Sequence, residues 1–227
     1  MLLKPGMTDK NPILLQHGWG YDSGMWDDWI KLNPDIHFTT SDRGYFGKPV
    51  RIAEQQAEAA VAHSLGLHLL PEEIFPKLKL LVIVSGFQEF HPNTPIERTF
   101  SQRIVRHMLK NVKSDAGPVL KQFHHNSYLP AKMDAESWQE ADIDLLHKDL
   151  ELLDHHKMDI EMLRLAGKIV ILHGMKDGIV PHNKAYQLQY SLPQSEIHTV
   201  EEGGHMIPVT HKEWCLNHIK ATLTQSA

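Results

Sequence analysis

Residues 61–68 read "VAHSLGLH", and the fold turns on how this stretch is taken. A short apolar run, Val61-Ala62, leads to His63-Ser64, and a glycine follows at position 66. This is the pattern G-x-S-x-G with alanine in place of its first glycine. In that pattern a strand turns sharply into a helix and leaves a serine hydroxyl standing at the bend. Alanine adds only one methyl where strand and helix approach, so Ser64 and the helix-side Gly66 keep their roles. A serine hydroxyl is a poor nucleophile until an imidazole takes its proton, so the partners must come from elsewhere in the chain.

Working outward from Ser64, short apolar runs alternate with helical patterns, as in a mostly parallel sheet with helices on both faces. "PILLQHG" (12–18) is expected to be a buried strand ending in a glycine turn, "MWDDWIKL" (25–32) a helix, and "IHFTTSDRG" (36–44) a strand running into turn residues. "EQQAEAA" (54–60) has helical propensity and leads into a short strand at 61–64. "LKLLVIVSG" (78–86) and "KIVILHG" (168–174) are continuous apolar runs suited to burial on both faces, and "EIHTV" (196–200) is a weaker last strand. "KEWCLNHIKATL" (212–223) closes as an amphipathic helix. Between Gly86 and Lys168 the pattern is helical, broken by "HPNTP", "DAGP" and "YLPAK". The expected organisation is one domain: a core over 1–86 and 167–227, with a helical cap inserted at 87–166.

Three of the predicted strands end in loops that hold chemistry. Ser64 follows the first, Asp177 lies in "MKDGIVP" after the second, and His205 lies in "EEGGHMIP" after the third. Open α/β sheets gather their ligands at this carboxyl edge. The imidazole of His205 would take the serine proton, and the carboxylate of Asp177 would fix its tautomer and stabilise the imidazolium. One such residue at a strand end means little, because turns favour Asp and His; three in the order Ser…Asp…His make the α/β-hydrolase arrangement. The two glycines before His205 let the backbone carry it over the sheet edge. "QHGWG" (16–20) ends the first strand where an oxyanion loop would lie, with the Trp19 and Leu65 backbone N–H groups facing the developing charge. Trp19 and Phe87 are placed to line an acyl pocket. Asp42 and Arg43, in "SDRGYFG", are read as structural, and His68 as packed in the helix after the bend.

Composition narrows the classes. The chain has 227 residues, 41% hydrophobic and 22% charged, with net charge −5. It lacks the overall basic footprint of a nucleic-acid binder. No stretch approaches the ~18 apolar residues of a membrane span, and no signal-peptide pattern opens the sequence. The single cysteine, Cys215, offers no internal disulfide, and a cytoplasmic location is expected. The 17 histidines include the doublets 124–125 and 155–156, but without the paired helical spacing of a metal site. Neither metal nor organic cofactor is expected.

From about Pro12 to Leu223 these motifs resemble the α/β-hydrolase superfamily. Within it they are most similar to the pimeloyl-[acyl-carrier protein] methyl ester esterases of biotin synthesis. The likeness is carried by "HGWG" with "MW" after it, by "HSLG", by "SGF" and by "LHKDLELLDHHKMDI". It implies a carboxylesterase with Ser64 as nucleophile, His205 as general base and acid, Asp177 as its orienter, and Trp19 and Leu65 as the oxyanion hole. It also implies methanol as leaving group. The sequence departs from the family pattern in that only about ten residues precede the first strand, so the usual opening β-hairpin is expected to be shortened or lost.

An acidic carrier protein needs a basic docking surface, and the cap offers one. Arg103, Arg106, Lys110 and Lys113 fall on one helical stripe, with Ile104, Val105, Met108, Leu109 and Val112 as the apolar side. Arg103, Arg106 and Lys110, with Phe87, are the candidate substrate-binding residues. A solvated outer face, or pairing of these cations with the acid-rich later cap (134–161), accounts for the same letters. On the same machinery a general small-ester carboxylesterase, a thioesterase, a carbon–carbon bond hydrolase or a cofactor-free haloperoxidase remain alternatives, as does a ligand receptor that retains the triad.

Overall fold

The computed structural model describes residues 12–51, 57–133 and 140–225. Six strands form one sheet: β1 (Ile13–Gln16), β2 (Phe38–Ser41), β3 (Ala59–His63), β4 (Leu80–Val84), β5 (Lys168–Gly174) and β6 (Glu196–Val200). Their order is β2-β1-β3-β4-β5-β6, and every adjacent pair is parallel. The strand order reverses beside β1, so β1, β3, β4 and β5 are interior strands. Their near-continuous apolar runs match burial on both faces.

Alternate residues feed two cores. Leu14, Ala60, Ala62, Leu81, Ile83, Ile169 and Ile171 face a layer containing Phe75, Leu163 and Leu188. Ile13, Leu15, Val61, Val82, Val84, Val170 and Leu172 face the opposite layer, with Trp26, Trp29, Cys215 and Ile219. The helices are α1 (Asp27–Leu32), α2 (Gly66–Leu69), α3 (Pro95–Ser114), α4 (Ala116–Tyr128), α5 (Ile143–His155), α6 (Ile160–Leu163), α7 (Asn183–Ser191), α8 (Ile207–Thr210) and α9 (Lys212–Gln225).

Two local expectations change. The strand leading to Ser64 begins at Ala59, not Val61, so the last two alanines of "EQQAEAA", Ala59 and Ala60, run as strand. Pairing of Ala59 with both Ile13 and Leu80 outweighs alanine's helical preference. Residues 54–56 of that stretch, and the region before residue 12 where the opening hairpin is expected to be shortened or lost, lie outside the described residues. The stretch 36–44 contributes only Phe38–Ser41 as strand. The short α2 and the six-residue 3₁₀ turn at Glu72–Lys77 fill the space between β3 and β4.

Between β4 and β5 come α3 to α6. Pro95 starts α3 at a position where its missing N–H costs no hydrogen bond. Asp115 and Asp142 cap α4 and α5 by accepting from Gly117 N and Leu145 N. These helices bury Val105, Val112, Leu120, Leu146, Leu150 and Leu153 against Trp19, Leu65 and Phe87 above the carboxyl edge of the sheet. The three buried leucines of α5, Leu146, Leu150 and Leu153, contribute about 5–9 kcal/mol by burial, an upper range because the unfolded chain already hides some surface. Apolar packing therefore holds the insertion down, and its polar contacts decide how it is seated. Ile104 departs from expectation: it is 48% exposed, on the outer face of α3 with Ile96 and Phe100.

Candidate active site

The structure brings Ser64, Asp177 and His205 together. Ser64 Oγ lies 3.0 Å from His205 Nε2, and His205 Nδ1 lies 2.8 Å from Asp177 Oδ2. With Nδ1–H donating to the carboxylate, Nε2 is free to accept the serine proton. That pairing is the geometry of an activated nucleophile.

Ser64 follows the last residue of β3 with φ of +55°, in the left-handed region where a side chain costs about 1–3 kcal/mol. The bend is fixed on both sides. Ser64 N donates to Val84 O at 2.9 Å, and Gly66 lies so close to β1 that a Cβ there would stand 2.6 Å from His17 O. Ala62, where the pattern has its first glycine, is fully buried among the core residues below the sheet, with its methyl accommodated.

Asp177 sits in the turn after β5. Its Oδ1 accepts from the amides of Ile179 and Val180 at 2.9 and 2.8 Å, which leaves Oδ2 for His205. Burial opposes ionisation, but the facing His205 ring and its hydrogen bond, with help from His173 and the Val180 amide, hold this carboxyl below its ordinary range. The folded state therefore binds this proton less readily than the unfolded chain. The stability Asp177 supplies is full above a pH of about 3.9 and is lost as pH falls through its lower folded value. Unfolding measured between pH 5 and pH 3 is expected to show a shallower acid loss in Asp177→Asn than in the parent.

His205 arrives on "GGH" as expected. A Cβ on Gly203 would meet Gly174 Cα at 3.1 Å, and one on Gly204 would overlap the Leu129 carbonyl. Only glycine lets this backbone pass between β5 and the segment after α4.

Gly18, in the loop after β1, lies against the bend: a Cβ there would be 3.0 Å from Ser64 Cβ. Among the described residues, neither the Trp19 nor the Leu65 backbone N–H donates to a protein acceptor. The Trp19 side chain is buried, and its Nε1–H donates to Leu146 O of α5 at 2.9 Å. Phe87 is fully buried, in the same apolar cluster as Trp19 and Leu65. Arg103, Arg106 and Lys110 are not brought to the triad; they stand exposed on the outer side of α3. Among the described residues, the acid-rich part of the insertion does not pair with them: Asp149 pairs with Arg43, and Asp154 faces His91 and His155. A cavity of about 320 Å³ between Gln16, Asp42, Arg43, Leu70 and Ile74 contains no triad residue.

Two buried histidines at strand ends escaped the sequence reading. His63 donates through Nε2 to His205 O at 3.1 Å, and burial pushes its basicity well down. His173 donates to Val180 O at 2.8 Å and lies 3.5 Å from Asp177 Oδ2, with burial again lowering its pKa. Both stay neutral at neutral pH, so neither places a competing cation beside His205. The available signal was a histidine ending each apolar run. His68 packs in α2 as expected, bonded to Phe87 O and to His156. Among the described residues, no group of three or more His, Cys, Asp or Glu is placed to hold a metal, and no helix is long and apolar enough to cross a membrane.

The fold is that of the α/β-hydrolases. An esterase from Exiguobacterium antarcticum superposes with a TM-score of 0.73 at 15% identity, over 96% of this chain and 93% of that one. A bromoperoxidase from Bacillus anthracis gives 0.74 at 14% identity over the same shares. A thermophilic esterase from Thermogutta terrifontis gives 0.64 at 16% identity, over 96% and 91%. The sequence matches no family model and no curated protein.

Proposed function

We propose that this protein is a serine hydrolase of carboxylic esters. The observation that carries the proposal is one imidazole bonded at once to a strained serine and a buried carboxylate. Ser64 Oγ attacks the ester carbonyl as His205 takes its proton, and the oxyanion rests on the Trp19 and Leu65 amides. The tetrahedral intermediate collapses, the carbonyl re-forms, and His205 gives the proton to the departing alcohol. Water, deprotonated by His205, then attacks the acyl-enzyme; collapse releases the acid and returns the proton to Ser64. The test is labelling by a fluorophosphonate probe, expected at Ser64 and absent in Ser64→Ala.

Within this class we propose an ester of an apolar acyl chain with a small alcohol. The methyl ester of a pimeloyl chain on an acyl-carrier protein, an intermediate of biotin synthesis, is the member favoured by the motif likeness. Two features support it. Leu65, the residue after Ser64, belongs to an apolar cluster with Trp19, Phe87 and Val180. Arg103, Arg106, Lys110 and Lys113 form an exposed row with no acidic partner among the described residues, as docking of an acidic carrier requires. Replacing Arg103 and Arg106 together by glutamate is expected to lower kcat/KM for the carrier-borne ester by about 10-fold or more at low salt, with less effect at high salt. Hydrolysis of a short nitrophenyl ester should not change. Equal losses on both substrates would argue against docking on this face.

A further inference from the structure

Trp19, whose amide is one of the two proposed oxyanion donors, is held from three directions, and each hold leads into the helical insertion. The first acts on the peptide that carries the amide. His17 Nδ1–H donates to Gly18 O at 2.8 Å, and because C=O and N–H point oppositely across a trans peptide, this sets the direction of the Trp19 N–H. His17 Nε2 accepts from Arg43 N at 2.9 Å. The Arg43 guanidinium in turn makes two bonds, of 2.6 and 2.8 Å, to Asp149 of α5, which also accepts from Tyr45. The second hold is the Trp19 indole on Leu146 O, again on α5. The third acts on the carbonyl of Gly20, the residue that follows Trp19. His124 of α4 donates through Nε2 to Gly20 O at 2.5 Å and stacks on Tyr21 with ring centroids 4.2 Å apart. The end of α4 continues to the other side of the site, where Met206 N, beside His205, donates to Ser127 O at 3.1 Å.

We propose that the insertion is part of the catalytic machinery, not only a cover: His124 and Asp149 are positioning residues that aim the Trp19 amide at the oxyanion. This rests on the serine-hydrolase reading given above. Seating of α4 and α5 and assembly of the oxyanion hole are then one event, so a substrate that shifts these helices to enter meets a complete site only when they return. Asp149 is 1% exposed and His124 2% exposed, so neither bond competes with solvent. Arg43, read from sequence as structural, is one of two links between α5 and the loop after β1, the Trp19 indole being the other.

The test compares His124→Ala, His124→Gln and Asp149→Asn with the parent. Each is measured for kcat and KM on a short nitrophenyl ester and for inhibition by a trifluoromethyl ketone. With the ketone, Ser64 Oγ adds to the carbonyl carbon, the C=O electron pair becomes an alkoxide, and the serine proton passes to His205. The adduct therefore carries the oxyanion, which the ground-state ester lacks. Complete loss of a donor costs about 10²–10³ in rate, so a misaimed donor is expected to cost about 10–100-fold. The expected result is that kcat falls, and ketone binding weakens, by that same factor in His124→Ala, with KM within about threefold. Glutamine, whose amide can donate to Gly20 O, restores both. Asp149→Asn reproduces the loss from the other flank of Trp19, and carries the test if His124→Ala does not fold. A rise in KM alone, unchanged ketone affinity in folded variants, or glutamine no better than alanine would overturn the proposal with the hydrolase reading intact. A parent that neither turns over ester nor takes up the ketone would overturn both.

Discussion

Replacing Ser64 by alanine is expected to lower ester turnover by about five to six orders of magnitude, leaving only what binding and the oxyanion donors supply. The reason is geometric. The hydroxyl stands 3.0 Å from a base and beside the turn that carries the Leu65 amide. His205→Ala should cost about as much, because without the imidazole the hydroxyl keeps its proton, and the double variant should be no worse than either single one. Steady-state rates on a nitrophenyl ester at substrate saturation decide this. Independent, multiplying losses would mean that the two residues do not act as a unit. Since Ser64 adopts a strained backbone conformation with either side chain, the alanine variant should fold and melt close to the parent.

The second large effect is expected at Gly66, and its contrast is Ala62. The two flank the same bend, and in the common form of the motif both are glycine. A methyl on Gly66 would stand 2.6 Å from His17 O and 2.9 Å from Gln16 O, both backbone atoms of β1 and its loop. Either the bend or β1 must move, and the moving part of β1 leads directly into the loop that carries Trp19. Gly66→Ala is therefore expected to cost about 3 kcal/mol, which at this chain length lowers the melting temperature by about 6–12 °C, and to reduce kcat by about 100-fold or more. Ala62→Gly removes a methyl packed beside Leu14 and Leu67 and should cost only about 1 kcal/mol, with kcat nearly unchanged. Thermal melts and ester kinetics on the two variants, side by side, check the asymmetry.

The parts legible in the sequence are those set by local chemistry. β4, β5 and β6 are apolar runs bounded by turn residues, and their limits fall within two residues of expectation. The triad residues could be found because each is a polar residue just past such a run, although Ser64 and His205 lie 141 positions apart. β3 was read short because alanine-rich sequence favours helix when isolated; neighbours on both sides make it strand. The route from Trp19 through His17 and Arg43 to Asp149 was not legible. It joins residues 106 positions apart by a bond that only the seating of α5 creates. The exposure of Ile104 was hidden for a related reason: apolar character places a residue on a helix, but the neighbouring helices decide which flank is covered.

The central claim is tested most directly by trapping the intermediate. The parent protein is mixed with excess nitrophenyl ester, quenched in acid within the first turnovers, and its intact mass and peptide masses are measured. One acyl group per chain, on Ser64 and missing from His205→Ala, is the predicted result. Turnover by the parent with the acyl group on a different residue, or an adduct on Ser64 that forms equally well without His205, would contradict the account.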